Sequence, residues 1–124
     1  MCNLYDIGPV RGVKGRGIQR LVIEKLSELT REFGIRKTDP GVVVRREAKS
    51  GNLEASVMRW GFSRPFNPAI NNARAEKLTD GMWQSAWEEG RCCVIPVATF
   101  YEWSGPKGAK QTHAFQVADG ADWM

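Results

Sequence analysis

The feature that most constrains the fold lies at residues 42–62, where two apolar runs flank a short polar connection. VVVRRE (42–47) and LEASVMRWGF (53–62) are rich in β-branched and aromatic residues, and KSGN (49–52) has the composition of a tight turn. This arrangement predicts a β-hairpin. TDPG (38–41) predicts a turn immediately before the first strand.

Two further segments have helical patterns. Residues 17–34 carry apolar side chains at spacings of three and four, which predicts one amphipathic helix, and Gly34 follows where a helix C-cap favours glycine. DGMWQSAWEEG (80–90) predicts a short helix that Asp80 can cap at its start and Gly90 at its end. The first helix is expected to be structural.

The remaining segments predict a strand and two loops. RCCVIPVATFYEW (91–103) has the composition of a strand, and Pro96 predicts an edge or a bulge within it. Residues 64–76 contain two prolines and three asparagines without a sustained period, which predicts an ordered loop. SGPKGAK (104–110) predicts a turn-rich loop.

The chain is long enough for one domain, which we place at residues 1–124. Of its 124 residues, 42% are apolar, so a packed core is feasible. THAFQVADGADWM (112–124) predicts another hairpin with Asp119-Gly120 as its turn, but its second strand has hardly begun at Met124. An open strand ladder is unusual in a complete domain, so we expect the N-terminal portion of a longer domain.

Composition also bears on the compartment and on metals. No apolar run approaches the roughly 20 residues of a membrane span, and no uninterrupted apolar core follows Met1 as in a signal peptide, so a cytosolic protein is expected. The three cysteines include no CxxC pair and the chain has one histidine, so neither a metal site nor a cofactor is expected. Cys92 and Cys93 are interpreted as buried, reduced thiols in a strand.

The net charge of +4 is unevenly distributed along the chain. Basic residues outnumber acidic ones in residues 1–76, and the reverse holds in residues 77–124. A basic half favours a polyanionic partner, nucleic acid first, although many ordinary domains with a pI near 9.2 bind nothing acidic.

Cys2 stands directly behind the initiator Met1. Removal of Met1 would leave an α-amine and a thiol on adjacent carbons, and both reach reactive protonation states near neutral pH. An aldehyde can form an imine with such an amine, and the thiol can then close a five-membered thiazolidine ring. The thiol could also serve as an ordinary nucleophile. A cysteine at this position is, taken alone, more often without function.

Two other motifs combine polar groups in ways that suit a binding site. Asn72, Arg74 and Glu76 alternate in INNARAEKL (70–78), so an extended loop would present the amide and the guanidinium together to a phosphate or sugar. Glu102 lies among aromatic residues in FYEWSG, where partial burial would suit an acid–base role. Taken alone, each motif is better explained by solvated or outward-facing surface positions.

Aromatic and basic residues also interleave in the predicted hairpin. Trp60 and Phe62 share one face of a strand, with Arg59 and Arg64 nearby, a combination that can stack bases and grip phosphates of single-stranded nucleic acid. Such aromatics are more often core residues. His113, the sole histidine, alternates with apolar residues and is interpreted as structural.

The order of these motifs carries more information than each motif alone. An M-C start, a Pro-Gly turn, W-G-F, N-A-R-x-E and F-Y-E-W occur in succession. The chain resembles the SOS response-associated peptidase (SRAP) family of abasic-site-processing proteins from Cys2 through Trp103. The resemblance implies an α+β fold on a twisted, barrel-like antiparallel sheet with a few flanking helices. It also implies autoproteolytic loss of Met1 and a covalent thiazolidine between Cys2 and the ring-opened deoxyribose of abasic single-stranded DNA.

The resemblance assigns roles to particular residues. Cys2 matches the nucleophile, Asn72 the asparagine near the sugar, and Glu102 the glutamate that shuttles protons. Arg74 matches an arginine that contacts the DNA backbone. The other residues expected at the DNA are the aromatic residues Trp60 and Trp103, the turn residue Pro40, and the neighbouring Arg59 and Arg64.

The sequence departs from the family pattern at two points. Leu4 stands where the family commonly has an arginine that contacts DNA, so that contact would be lost or supplied by Arg11, Arg16 or Arg64. The family also has a histidine in a downstream His-x-Arg-Met-Pro-like segment, which this chain lacks. The resemblance does not extend to His113.

Three functional hypotheses follow. The first is a thiol autopeptidase that crosslinks itself to abasic single-stranded DNA, as a monomer in the bacterial cytosol near the nucleoid. The second is a single-stranded-DNA-binding module without covalent chemistry. The third is a Cys2-dependent hydrolase of the N-terminal-nucleophile type.

Overall fold

A computed structural model of the chain describes residues 3–8, 17–118, 121 and 123. It contains two α-helices, α1 (Ile18–Leu26) and α2 (Gln84–Glu88), and two short 3₁₀ segments at Ala75–Lys77 and Gly81–Trp83. The strands are β1 (Leu4–Asp6), β2 (Ile35–Arg36), β3 (Pro40–Arg46), β4 (Leu53–Arg59), β5 (Phe62–Arg64), β6 (Asn67–Ile70), β7 (Cys93–Val94), β8 (Thr99–Ser104) and β9 (Gln111–Gln116).

The strands form three small antiparallel sheets. Their orders are β2-β1-β8-β9, β4-β3-β7 and β5-β6. This confirms the predicted α+β class with antiparallel sheets and flanking helices. Within the described ranges the strands do not close into a barrel.

The hairpin predicted at residues 42–62 is confirmed. Strands β3 and β4 pair without interruption from Pro40 opposite Arg59 to Arg46 opposite Leu53. Val42, Val43 and Val44 are all buried, because β3 lies between β4 and β7 and has few solvent-facing positions. Successive buried residues are typical of a strand covered on both faces.

The core joins the two larger sheets and α1. It contains six buried side chains: Tyr5, Ile7, Val22, Ile35, Val42 and Val44. Helix α1 packs on β3 and β4 through Val22, which is fully buried. Burial of an aliphatic side chain of this size stabilises a fold by about 1.5–3 kcal/mol.

Helix α1 is shorter than the predicted 17–34 helix, and tertiary hydrogen bonds account for the difference. After Leu26 the backbone tightens into turns in which Leu29 N donates to Leu26 O at 3.0 Å. The Glu32 carbonyl then accepts from Ile7 N at 2.9 Å, which ties this segment to the end of β1. If the helix continued through this segment, the Glu32 carbonyl could no longer accept the hydrogen bond from Ile7 N.

Two other predicted segments differ from the structure. The 64–76 loop contains part of a hairpin, β5–β6, and only residues 71–74 are irregular before the 3₁₀ segment. Asp80 does not cap the following helix through its side chain, because its carboxylate pairs with Lys77 at 3.1 Å.

The predicted 91–103 strand is divided in two around Pro96, as the proline indicated, giving β7 and β8. Strand β9 returns along β8 after the 105–110 connection.

Cys92 and Cys93 are exposed, so the prediction of buried thiols is wrong: β7 lies at the edge of its sheet. The predicted Asp119-Gly120 turn lies outside the described residues. None of the described helices is long and apolar enough to cross a membrane.

Candidate functional site

The pairing of β1 with β8 brings the first strand that the structure describes next to the strand that carries Glu102. Leu4 pairs with Tyr101 and Tyr5 with Phe100, which places Asn3 and Glu102 at the same end of the ladder, each one residue beyond the Leu4–Tyr101 pair. Directly opposed residues of an antiparallel pair project to the same face. Cys2 immediately precedes Asn3 in the chain but lies outside the described residues.

The loop that follows β6, residues 71–74, contacts Asn3, and we call it the asparagine loop. The Asn71 side-chain amide donates to Asn3 Oδ1 at 3.1 Å, which joins residues 68 positions apart in sequence. Asn72 is the next residue and is exposed, as is Arg74. Asn72 therefore adjoins a residue that contacts Asn3, and Glu102 adjoins the residue that pairs with Leu4.

The glycine of the W-G-F motif allows this approach. Gly61 has φ +95°, a conformation that favours glycine, and a Cβ there would lie 2.9 Å from the Ile70 carbonyl oxygen and 3.4 Å from Asn71 Cβ. A side chain at this position would push the end of β6 away. Gly61 thus fixes where the asparagine loop begins.

Strand β9 adds a residue that sequence reasoning had interpreted as purely structural. His113 is directly opposite Glu102, and its Nε2 is 2.7 Å from the Ser104 hydroxyl, to which it is hydrogen-bonded. We refer to Asn3, Glu102, Ser104 and His113 as the polar end of the β1–β8–β9 sheet. Alternation of Glu102 with Ser104 was visible in the sequence, but the pairing register that brings His113 to them was not.

The other face of these strands holds β1 and β8 in register. The Tyr101 hydroxyl donates to Asp6 Oδ2 at 2.7 Å, and Asp6 Oδ1 accepts from Gly34 N at 2.7 Å. The hydrogen bond to the Asp6 carboxylate raises the pKa of Tyr101, with burial and the carboxylate charge contributing in the same direction. The neutral phenol is therefore the form that stabilises this pairing.

A cavity of about 530 Å³ lies between the asparagine loop and the β3–β4–β7 sheet. Trp60 lines it and packs edge-to-face on Tyr5 with ring centroids 5.0 Å apart, while Phe62 packs in the same way on Trp83 at 5.1 Å. The lining is mostly apolar, with Asn71 among its polar members. Trp60 is thus both a core contact and part of the cavity wall.

The basic residues predicted to bind DNA have different environments. The Arg59 guanidinium donates to the Gly61 and Pro68 carbonyls at 3.0 and 2.9 Å, so it ties β4 to the β5–β6 hairpin. Arg64 is exposed and donates only weakly to the Ser63 carbonyl, at 3.5 Å. The exposed Arg74 side chain forms no hydrogen bond or ion pair with any other described residue, which leaves its guanidinium to solvent.

Trp103 and Pro40 are less closely associated with the polar end. Trp103 follows Glu102 in β8 and therefore projects to the opposite face, half-buried. Pro40 begins β3, opposite Arg59, and is half-buried. Arg11 and Arg16, the possible substitutes for an arginine at Leu4, lie outside the described residues.

Cys92 and Cys93 are exposed as residues, but the Cys93 thiol is partly buried. Cys93 lines the cavity. Burial of its thiol is the main cause that raises the pKa of Cys93, and the charge of the neighbouring Cys92 acts in the same direction. The protonated, weakly nucleophilic thiol is therefore favoured at this position. Among the residues that the structure describes, no group of three or more His, Cys, Asp or Glu side chains could hold a metal ion.

Comparison with protein families gives one match. A family model described as SOS response associated peptidase (SRAP) matches residues 11–124. The matched range includes the asparagine loop and strands β8 and β9, and it begins after Cys2. Comparisons with curated proteins and with solved structures gave no match.

Proposed function

The chain belongs to the SOS response associated peptidase (SRAP) family, and from this premise we propose that it captures abasic single-stranded DNA through Cys2. Family membership supports an SOS-associated, peptidase-like function. The finer proposal is that the protein removes its own Met1 and then forms a thiazolidine with the abasic deoxyribose. The observation that supports it is the β1–β8 register, which places Asn3, the residue after Cys2 in the sequence, at the same end of the ladder as Glu102.

The first step is hydrolysis of the peptide bond between Met1 and Cys2. The water oxygen goes to the methionine carboxyl group, and the nitrogen released becomes the α-amine of Cys2. The Glu102 carboxylate is half-buried on β8, the strand that pairs with β1, and in this proposal it accepts the proton of the attacking group. A half-buried carboxylate is partly shielded from water and can still exchange protons with it.

The second step opens the abasic sugar. Glu102 takes the proton of the C1′ hydroxyl and returns a proton to the ring oxygen as the C1′–O4′ bond breaks, which exposes the aldehyde. The Cys2 amine adds to C1′ and a water molecule leaves, which gives an imine. The sulfur then bonds to C1′ as the imine nitrogen takes a proton, so that one water is lost overall.

Binding of the strand would involve the groups around the loop and cavity. Arg74 and Arg64 are exposed cations on the side of the asparagine loop and can contact phosphates. Asn72 follows Asn71, which is bonded to Asn3, and would lie close enough to the sugar to orient it. The role of Arg59 is to hold the hairpin, because both of its bonds are to backbone carbonyls.

The test is adduct formation with a single-stranded oligonucleotide that carries one abasic site. The wild-type protein should give an adduct that survives a denaturing gel, and Cys2→Ala should give none. Cys92→Ala is the matched control and should react like the wild type, because that thiol has no adjacent amine and does not line the cavity. An oligonucleotide whose abasic aldehyde has been reduced to an alcohol should not react.

An adduct that persists in Cys2→Ala, or the absence of any adduct from the wild type, would overturn the proposal. Salt-sensitive binding of the strand without an adduct would instead support the non-covalent single-stranded-DNA-binding function. Turnover of an unrelated peptide by the wild type but not by Cys2→Ala would support the hydrolase.

A further inference from the structure

We propose that the hydrogen bond between Asn71 and Asn3 positions the N-terminal segment against the asparagine loop for the capture reaction. This inference rests on the proposed function and extends it to two residues to which the family resemblance gives no role. The Asn71 side-chain amide donates to Asn3 Oδ1 at 3.1 Å, and the bond is partly buried. We call this bond the asparagine bridge.

The asparagine bridge lies one residue from each of two groups that the proposed reaction brings together. Asn3 is joined to Cys2, and Asn71 to Asn72, by a single peptide bond. Consecutive Cα atoms are about 3.8 Å apart. A bond between Asn3 and Asn71 therefore limits how far the nucleophile can lie from the amide proposed to orient the sugar.

On the loop side, Asn71 extends from an anchored hairpin. Strand β6 is paired with β5 up to Ile70, the residue before Asn71. Gly61 lies against the same point, since a Cβ built there would be 3.4 Å from Asn71 Cβ. The Arg59 guanidinium also holds this hairpin, by donating to the Pro68 carbonyl at 2.9 Å. The position of Asn71 is therefore set by contacts other than the bridge.

On the other side, Asn3 stands just before the strand ladder. The pairs of β1 with β2 and with β8 begin at Leu4, one residue after Asn3. A side-chain contact contributes more to the position of a residue outside a ladder than of one that main-chain bonds already hold. The asparagine bridge therefore lets the anchored loop position the segment that leads to Cys2.

A modest effect of the bridge on position is enough to change the rate. In a reaction between positioned groups, a misplacement of about 1 Å can slow the reaction about 100-fold. A neutral hydrogen bond changes an equilibrium by roughly tenfold. Without the bridge, the fraction of molecules in which Cys2 lies close to the loop should fall by about that factor, and the rate with it.

The test is a double-mutant cycle on the single-turnover rate of adduct formation near pH 7.5, at saturating abasic strand. Asn3→Asp keeps an acceptor for the Asn71 amide, and Asn71→Asp keeps the bond if the Asn3 amide rotates to donate. Combining the two substitutions leaves two carboxylates and no donor. We expect each single variant to react within about threefold of the wild type, and the double variant about tenfold more slowly than the two single effects multiplied together.

Two measures keep other effects out of this comparison. Met1 is removed beforehand from every variant with a methionine aminopeptidase, and intact mass confirms its loss. Asn3→Asp combined with Asn52→Asp is the matched control, because it carries the same added charge at an exposed residue of the β3–β4 turn. The two effects in this control should simply multiply.

Formaldehyde separates positioning from the intrinsic reactivity of Cys2. The amine and thiol of Cys2 combine with free formaldehyde to give a thiazolidine and one water, and this reaction does not require the asparagine loop. All variants should therefore react with formaldehyde at the wild-type rate. Equal slowing with formaldehyde and with the abasic strand would refute a positioning role.

Urea denaturation shows whether the double aspartate variant is folded under the assay conditions. If it is not, Asn3→Ala and Asn71→Ala provide the same cycle. Each should then be about tenfold slow, and their combination no slower than the slower of the two.

The outcomes also separate this inference from the proposed function. If the wild type forms no adduct, both are wrong. If the wild type forms the adduct and the effects at Asn3 and Asn71 simply multiply, the capture function stands and the role of the asparagine bridge is refuted.

Discussion

Strands β1 and β8 have two contrasting ends. At one end Tyr5 and Thr99 are 2% and 5% exposed and pack into the core. At the other end, Asn3, which precedes β1, and Glu102, in β8, are half-buried, and Ser104 is exposed. The buried end therefore stabilises the fold, and the polar end carries the groups proposed to react. Substitutions at the buried end should therefore change the free energy of unfolding, and substitutions at the polar end should change the rate of adduct formation.

The largest expected effect is on the rate at the polar end. Glu102→Gln should slow adduct formation at least about 100-fold, because glutamine cannot exchange the protons that the sugar and amine require. Its free energy of unfolding should change by less than about 1 kcal/mol, because the residue is half-buried and glutamine keeps its shape. Quenched-reaction gels and urea denaturation measure the two quantities. A normal rate would contradict the assignment of Glu102.

At the buried end the effect should be on stability. Ile35→Ala removes a fully buried side chain and should lower the free energy of unfolding by about 3 kcal/mol. Ile18→Ala is the matched control: Ile18 is 48% exposed, and the cost there should be below about 1 kcal/mol. Urea denaturation compares the two. Equal losses from both variants would show that the core is not where the structure places it.

Gly61 lies between β4 of the core hairpin and β5, against the residues where β6 ends, so its substitution should affect both stability and reaction rate. Gly61→Ala should cost about 2 kcal/mol, because its positive φ strains the backbone and its Cβ meets the Ile70 carbonyl. Gly51→Ala is the control, with φ +70° but open space around it, so it should cost less. The displaced asparagine loop should also slow adduct formation in Gly61→Ala. A smaller loss of stability there than at Gly51 would refute the role of close approach.

The smallest expected effect concerns the hydrogen bond that holds β1 to β8. Tyr101→Phe should lower the free energy of unfolding by about 1 kcal/mol at pH 7. Since the folded pKa of Tyr101 is raised, its contribution is fully present below the unfolded pKa of about 10 and is lost as pH rises through the folded value. The difference between wild type and Tyr101→Phe should shrink in urea denaturation above about pH 10. A difference that grows with pH would contradict this.

Local sequence was sufficient to predict some elements. The β3–β4 hairpin follows from two β-branched runs and a short polar turn, and the break between β7 and β8 follows from Pro96. Both features depend on neighbouring residues alone. The family and the α+β class were also correctly predicted.

Features that depend on distant residues were not predictable in this way. The end of α1 is set by the bond between Ile7 N and the Glu32 carbonyl, which no local pattern contains. The β5–β6 hairpin is concealed by its polar, proline-containing composition. The approach of His113 to Glu102 depends on the β8–β9 register, which the sequence of neither strand specifies.

The most direct test of the central claim is the intact mass of the protein before and after incubation with an abasic single-stranded oligonucleotide. We predict that the purified chain lacks one methionine and that the product equals this mass plus the oligonucleotide minus one water. Proteolysis of the product should locate the added mass on Cys2. A chain that retains Met1 and gains no mass, or an adduct located on Cys92 or Cys93, would contradict the account.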